Sequence, residues 1–270
     1  MKSIPASMHT AGSGQNDMAV LEEIIRSAGD LALQYFRCDF NHWKKSDNTP
    51  VSEADIAVNQ LLKQRLLQAR PDYGWLSEET EDDTTRLSKR RVWVVDPIDG
   101  TRAFLRGRED WTISVALVED GRSIAASVFH PTSATLFTAV AGNGAYVNHE
   151  PIATTNKQNL PHCRMAANSG AFKPEYWRQA WPEMAITSYN SMALRLAHVA
   201  QGQEDATVTI RPKSDWDLAA ADLLVQEAGG RVTTLEGRPL IYNSIHPVHD
   251  TIAAAGPALH KILMQQNQIV

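Results

Sequence analysis

The stretch Asp96-Pro97-Ile98-Asp99-Gly100-Thr101 concentrates groups able to do chemistry. A short apolar run, Val92 to Val95, ends at Asp96 and reads as a buried strand. Pro97 stiffens the exit, Asp99 follows three residues after Asp96, and Gly100 lets backbone approach a ligand. Thr101 starts an expected helix whose free N–H groups suit a phosphate. Two bare carboxylates about 4 Å apart repel by roughly 4 kcal/mol at an effective dielectric near 20. A divalent cation between them turns that repulsion into attraction, and acidic groups beside an anion site make sense only with such cations. Oxygen donors without His or Cys favour Mg²⁺ over zinc.

Further acidic candidates are Glu78-Glu79, after a short strand through Trp75, and Asp217 in Trp216-Asp217, which opens a helix running to Glu227-Ala-Gly-Gly. An Asp at a helix start is ordinarily a cap, and Ser52 to Asp55 is accounted for by a capping box. Glu79, Asp82 and Asp83 read as solvated loop charges. The nine His residues are scattered; His246 and His249, beside Pro247, suit a loop rather than a metal site.

These groups need elements to hold them. Leu21, Ile24, Ile25, Ala28, Leu31 and Ala32 recur at helical spacing after a cap at Asp17. A second helix carries Ile56, Asn59, Leu62, Leu66 and Leu67 and ends at Pro71. Residues 111–118, 124–129 and 135–140 are strand-like, with Asp120-Gly121 turning the first pair; with Val92–Val95 they predict an antiparallel meander. A polar stretch near 151–161 predicts a lobe boundary. Beyond it, strands at 164–167, 185–188, 206–210 and 251–255 alternate with helices around Tyr176-Trp177, at 191–200, at 217–228 and at the end of the chain. The pattern is an α+β lobe, 17–155, followed by an α/β lobe, 156–270, after a flexible arm, 1–16.

With 26 Lys+Arg against 31 Asp+Glu, the net charge is −5, which argues against coating duplex nucleic acid. The 43% apolar and 21% charged composition is that of a globular chain. No apolar run approaches the roughly 18 residues of a membrane helix. Two cysteines, Cys38 and Cys163, are too few for a disulfide framework, so a cytoplasmic setting is expected.

Trp93-Val-Val-Asp-Pro-Ile-Asp-Gly-Thr-Arg-Ala-Phe104 closely resembles the first signature of the inositol monophosphatase family. Trp216-Asp-Leu-Ala-Ala-Ala-Asp-Leu-Leu-Val-Gln-Glu-Ala-Gly-Gly230 resembles the second, and Glu78-Glu79 falls where that family has its Glu-Glu pair. The resemblance runs from about Asp17 to the C-terminus. It implies a layered α-β-α-β-α sandwich of two lobes and a homodimer acting on a small phosphorylated metabolite. It also implies two or three Mg²⁺ with sensitivity to Li⁺. By motif, Glu78, Asp96, Asp99, Asp217 and the Ile98 carbonyl would be metal ligands. Gly100 and Thr101 would receive the phosphate beside Asp99, and Glu78, Thr101 and Asp55 would be catalytic. The glycine that usually precedes the Glu-Glu pair is Ser77 here.

The implied reaction is hydrolysis of a phosphate monoester by metal-activated water, oriented by Glu78 and Thr101, without a covalent phospho-enzyme. The segment 209–215 carries Arg211 and Lys213 and lacks the Glu with which inositol-selective members hold sugar-alcohol hydroxyls. Together with Arg106 and Arg108, these cations suit a second phosphate, and the reading leans to a 3′(2′),5′-bisphosphate nucleotidase acting on adenosine 3′,5′-bisphosphate. The alternatives are an inositol-1-monophosphatase, a fructose-1,6-bisphosphatase, a histidinol-phosphatase, or a phosphatase fold that binds another macromolecule. Retention of all four carboxylates argues for catalysis.

Overall fold

The computed structural model describes residues 8–46 and 48–266, with side chains from Asn16 onward. Helix α1 spans Met8–Tyr35, so much of the segment expected to be a flexible arm is helical, and residues 1–7 lie outside the described residues. Asp17 does not cap α1 but lies inside it, 2% exposed, where its carboxylate accepts from Arg70 Nε at 2.5 Å and the Tyr73 hydroxyl at 3.1 Å. A buried acid between a guanidinium and a phenol is satisfied where an isolated one would be costly.

The chain continues as the hairpin β1 (His42–Lys44) and β2 (Pro50–Ser52), then α2 (Glu53–Ala69) and β3 (Gly74–Ser77). Strand β4 (Arg91–Asp99) leads into the short α3 (Thr101–Leu105). β5 (Thr112–Glu119), β6 (Arg122–His130), β7 (Thr135–Val140), β8 (Ala145–Val147) and β9 (Glu150–Pro151) complete a seven-stranded sheet in sequential order. All its pairs are antiparallel except β3 with β4. The expected meander is therefore present, with more strands.

The remaining elements are β10 (Arg164–Ala166), β11 (Ala185–Thr187), α4 (Met192–Ala200), β12 (Ala206–Thr209), β13 (Lys213–Ser214) and α5 (Asp215–Glu227). They are followed by β14 (Arg231–Thr233), β15 (Val248–His249), β16 (Ile252–Ala255) and α6 (Pro257–Gln266). A five-stranded mixed sheet has the order β11-β10-β12-β16-β14, and β14 has no counterpart in the sequence reading. The helix expected around Tyr176-Trp177 is absent; two 3₁₀ turns, Ser169–Phe172 and Pro174–Tyr176, stand there. The indole of Trp177 donates to the Ala171 carbonyl at 2.6 Å and packs edge-to-face on Trp181, so the aromatics form a local cluster rather than a helical stripe.

Side-chain alternation builds the layers. Trp93 and Val95 of β4 join α1 and α2 in one core, whereas Val92 and Val94 join α4, α5 and residues of the second sheet in another. The far face of that sheet packs on α6. The order α-β-α-β-α follows, with α5 buried in the middle. At its C-terminal end Glu227 accepts from Gly142 N and Gly144 N, both at 2.8 Å, clasping the β7–β8 turn. No helix among the described residues is long and apolar enough to cross a membrane.

Candidate active site

A cleft of about 470 Å³ opens between the two sheets, lined by Glu78, Asp96, Asp99, Gly100, Thr101 and Asp217 together with cationic side chains. Carboxylate oxygens of Asp96, Asp99 and Asp217 lie within 4.8 Å of one another. Asp96 and Asp99 both belong to β4, but the pairing with β5 shifts register between them. That irregularity turns two residues three apart toward one side, where a regular strand would send them to opposite faces. Gly100 has φ +99, and a Cβ there would meet the Asp110 carbonyl at 3.0 Å and Ser191 N at 3.2 Å, so only glycine fits this exit.

Asp99 is held by the start of α4: its carboxylate accepts from Ser191 Oγ at 2.6 Å, Ala193 N at 2.6 Å and Met192 N at 3.1 Å. Asp96 accepts from Ile98 N at 3.1 Å. The Ile98 carbonyl accepts from the Thr101 hydroxyl at 3.1 Å. Helix α3, only five residues long, gives the backbone at Gly100 and Thr101 less dipole behind it than a full helix would.

Asp55 and Asp217 occupy equivalent places: each is the third residue of a helix whose preceding Ser forms a capping box with it. Asp217 therefore does not open its helix. Oδ2 of Asp55 accepts from Ser52 N at 2.8 Å, and Oδ2 of Asp217 from Ser214 N at 2.8 Å. The other oxygen faces the site in both cases: Asp55 Oδ1 takes the Thr101 hydroxyl at 3.1 Å, and Asp217 Oδ1 takes Lys213 Nζ at 3.2 Å. Capping and a place at the site are thus not alternatives.

Burial pushes Asp55 and Asp99 up to about 6 and Glu78 up to about 7; the Asp217 charge adds to the rise at Asp99 and, after the opposing pull of Lys45, at Glu78. Asp96, fully buried beside Glu78, Asp99 and Asp217, is driven well above the usual carboxylate range. Packed acids of this kind call for positive charge. An all-oxygen donor set without His or Cys fits a hard divalent cation.

Several side chains stand differently from the sequence reading. Glu79 and Asp82 are not free loop charges: Lys45 Nζ meets Glu79 at 2.6 Å and Glu78 at 3.1 Å, and Arg86 meets Asp82 at 2.7 Å. Arg106 and Arg108 do not line the cleft, and Arg108 pairs with Asp110 at 2.9 Å. Arg211 and Lys213 do line it. Burial pushes the Lys213 ammonium down, but Asp217 and Asp99 outweigh it and its value is raised. Lys45, Arg195, Tyr189 and Arg102 carry no local signal of a site, yet Lys45 meets Glu78 and the other three line the cleft. Arg195 lies within the helix expected at 191–200, yet it lines the cleft and donates through Nε to the Tyr189 carbonyl at 2.8 Å.

The sequence profile of the inositol monophosphatase family matches residues 15–269. The chain belongs to the inositol monophosphatase family. It is thereby a phosphatase of the phosphoric monoester hydrolase class. It is 37% identical over 217 residues to an inositol-1-monophosphatase of Rhizobium meliloti, covering 76% of this chain and 80% of that one. It is 30% identical to the 3′(2′),5′-bisphosphate nucleotidase CysQ of Aggregatibacter actinomycetemcomitans, covering 82% and 85%. Among solved structures, the extragenic suppressor protein suhB of Bartonella henselae superposes with a TM-score of 0.80 at 28% identity, covering 92% of this chain and 97% of that one.

Proposed function

We propose that this family member is a Mg²⁺-dependent phosphomonoesterase whose substrate carries a second anionic group, with adenosine 3′,5′-bisphosphate as the best candidate. The observation that carries the reading is one cleft lined both by the acids Glu78, Asp96, Asp99 and Asp217 and by the cations Arg195, Arg211 and Lys213. Asp96, Asp99 and Asp217, with Glu78 and the Ile98 carbonyl, would hold Mg²⁺. Bound divalent cations supply charge neutralisation for the phosphoryl oxygens and acidify a water.

The chain's own groups do the rest. The Thr101 hydroxyl has one proton and two acceptors at 3.1 Å, Asp55 Oδ1 and the Ile98 carbonyl. Donating to Asp55 leaves its lone pairs free to accept a proton from an attacking water, with the Asp55 carboxylate as the sink. Glu78, held among the would-be Mg²⁺ ligands just after β3, would orient the attacking water together with Thr101. Backbone N–H groups at Gly100 and Thr101 would receive the phosphate, and Arg195, Arg211 and Lys213 would receive the second anion.

The inositol-1-monophosphatase reading is favoured by one contact: Lys213 is already paired with Asp217, which reduces the charge free for a second phosphate. Phosphate release from adenosine 3′,5′-bisphosphate, inositol 1-phosphate, fructose 1,6-bisphosphate and histidinol phosphate, with Mg²⁺ and with added Li⁺, separates the readings. The expected order puts the nucleotide first, with inhibition by Li⁺. Preference for inositol 1-phosphate overturns the substrate assignment, and release from none overturns the reaction.

The proposal includes a cytoplasmic homodimer. It is supported by two unpaired cysteines, Cys38 exposed and Cys163 buried, and by the exposed edge strand β11 with Ile186 40% exposed. Light scattering of the purified chain tests the assembly.

A further inference from the structure

Among the described residues Arg86 is the only buried arginine, 1% exposed, and it lies outside the cleft. Its guanidinium makes four hydrogen bonds to two separate segments. Toward its own side it forks onto Asp82, Nε to Oδ1 at 2.7 Å and Nη2 to Oδ2 at 2.8 Å. Toward the other it donates to Asn243 Oδ1 at 2.7 Å and to the Ser244 carbonyl at 3.0 Å. Planar, multidentate bonding of this kind is specific to arginine.

Each end continues to an acid of the cleft. Asp82 closes the segment 77–82 that carries Glu78, whose backbone is fixed on β4 by Glu78 N to Val95 O at 3.3 Å. Asn243, in the left-handed region at φ 58, donates its N–H to Asp215 Oδ2 at 2.6 Å. Asp215 is fully buried, and its Oδ1 meets His249 Nε2 at 2.9 Å. Its N–H bonds the Pro247 carbonyl at 2.9 Å, while Lys213 and Ser214 pair with His249 and Val248. Asp215 begins α5, two residues before Asp217.

We propose that Arg86 is a positioning residue: it ties the segment bearing Glu78 to the strap 243–249 that sets the start of α5, and so fixes the gap between Glu78 and Asp217. The inference rests on the reading of the cleft as a cation site. Outer groups that orient a ligand set typically change metal affinity about 10–100-fold when removed.

The test uses Asn243→Gly, which keeps the left-handed backbone and the N–H to Asp215 but deletes the acceptor for Arg86, and Asn243→Asp, which restores an acceptor and tolerates the same φ. Arg86→Lys completes the set, with folding checked by circular dichroism. Mg²⁺ binding is read without substrate, by calorimetry and by the Mg²⁺ dependence of the melting temperature. KM for the phosphate ester is read separately at saturating Mg²⁺. The expected result is a half-saturating Mg²⁺ concentration about tenfold higher in N243G and R86K, KM within about twofold, and recovery in N243D. A folded N243G that binds Mg²⁺ like wild type, or an N243D as impaired as N243G, overturns the proposal. Wild-type protein that binds no Mg²⁺ overturns the cation reading of the cleft, and this inference with it.

Discussion

Asp55 Oδ1 and Thr101 Oγ1 meet at 3.1 Å across 46 residues of sequence, while the other oxygen of Asp55 stays committed to the cap of α2. The carboxylate is therefore aimed from both sides, and the hydroxyl has a fixed proton acceptor. Replacing Thr101 by Val keeps the shape and removes the relay. We expect kcat to fall about 10²–10⁴-fold, the usual span for proton-transfer catalysis, with KM and melting temperature little changed. Steady-state kinetics check this, and a kcat within twofold of wild type rules the relay out.

Asp96→Asn and Asp217→Asn each remove one charge from the buried cluster. Mg²⁺-dependent phosphate release should vanish in both while circular dichroism is unchanged. Metal-free D96N should melt higher than wild type, because burial and its acidic neighbours disfavour the charge it lacks. Full activity in either variant sinks the ligand assignment.

Arg195→Gln keeps a donor for the Tyr189 carbonyl but loses the cation. If Arg195 receives the second anion, KM for adenosine 3′,5′-bisphosphate should rise about 10–100-fold, the worth of a hydrogen bond to a charged group. KM for inositol 1-phosphate should hold. Equal loss on both substrates would show that the residue only shapes the wall.

Stability should also depend on pH in a defined direction. Asp55 and Asp99 rise from 3.8 to about 6 and Glu78 from 4.5 to about 7, with burial the leading cause. Between about pH 4 and 7 the folded chain then holds more protons than the unfolded one, so stability falls as pH rises through that window. Each such group contributes up to about 1.4 kcal/mol per pH unit. Mg²⁺ favours the ionised forms and should flatten the slope. Melting curves from pH 5 to 7.5, in chelator and in Mg²⁺, measure it; a flat profile in chelator contradicts the shifts.

Much of this site was legible in the chain. The Asp96–Thr101 turn, the capping box at Ser52 and the helix through Trp216, though not its first residue, rest on contacts within a few residues, which spacing reports. What escaped depended on distant partners. Nothing near Lys45 announces that a hairpin will swing its ammonium onto Glu78 and Glu79, so Glu79 read as solvated. Arg106 and Arg108 looked like substrate cations because charge is visible in sequence and direction is not. Arg195 was hidden in the opposite way, its helical spacing matching a packing residue while its guanidinium reaches the cleft. The helix expected around Tyr176-Trp177 does not form because Pro174 and an edge-to-face aromatic cluster decide the path there.

The clasp of Glu227 on the β7–β8 turn gives α5 a second anchor, about 18 Å from its first residue at 1.5 Å per residue. A rod fastened at both tips transmits displacement along its length instead of absorbing it. A lesion at Gly142 or Gly144, on the rim opposite the reaction, should therefore be felt as a misplaced Asp217. Screens for loss of phosphatase activity would then recover changes in that remote turn alongside those in the acids themselves.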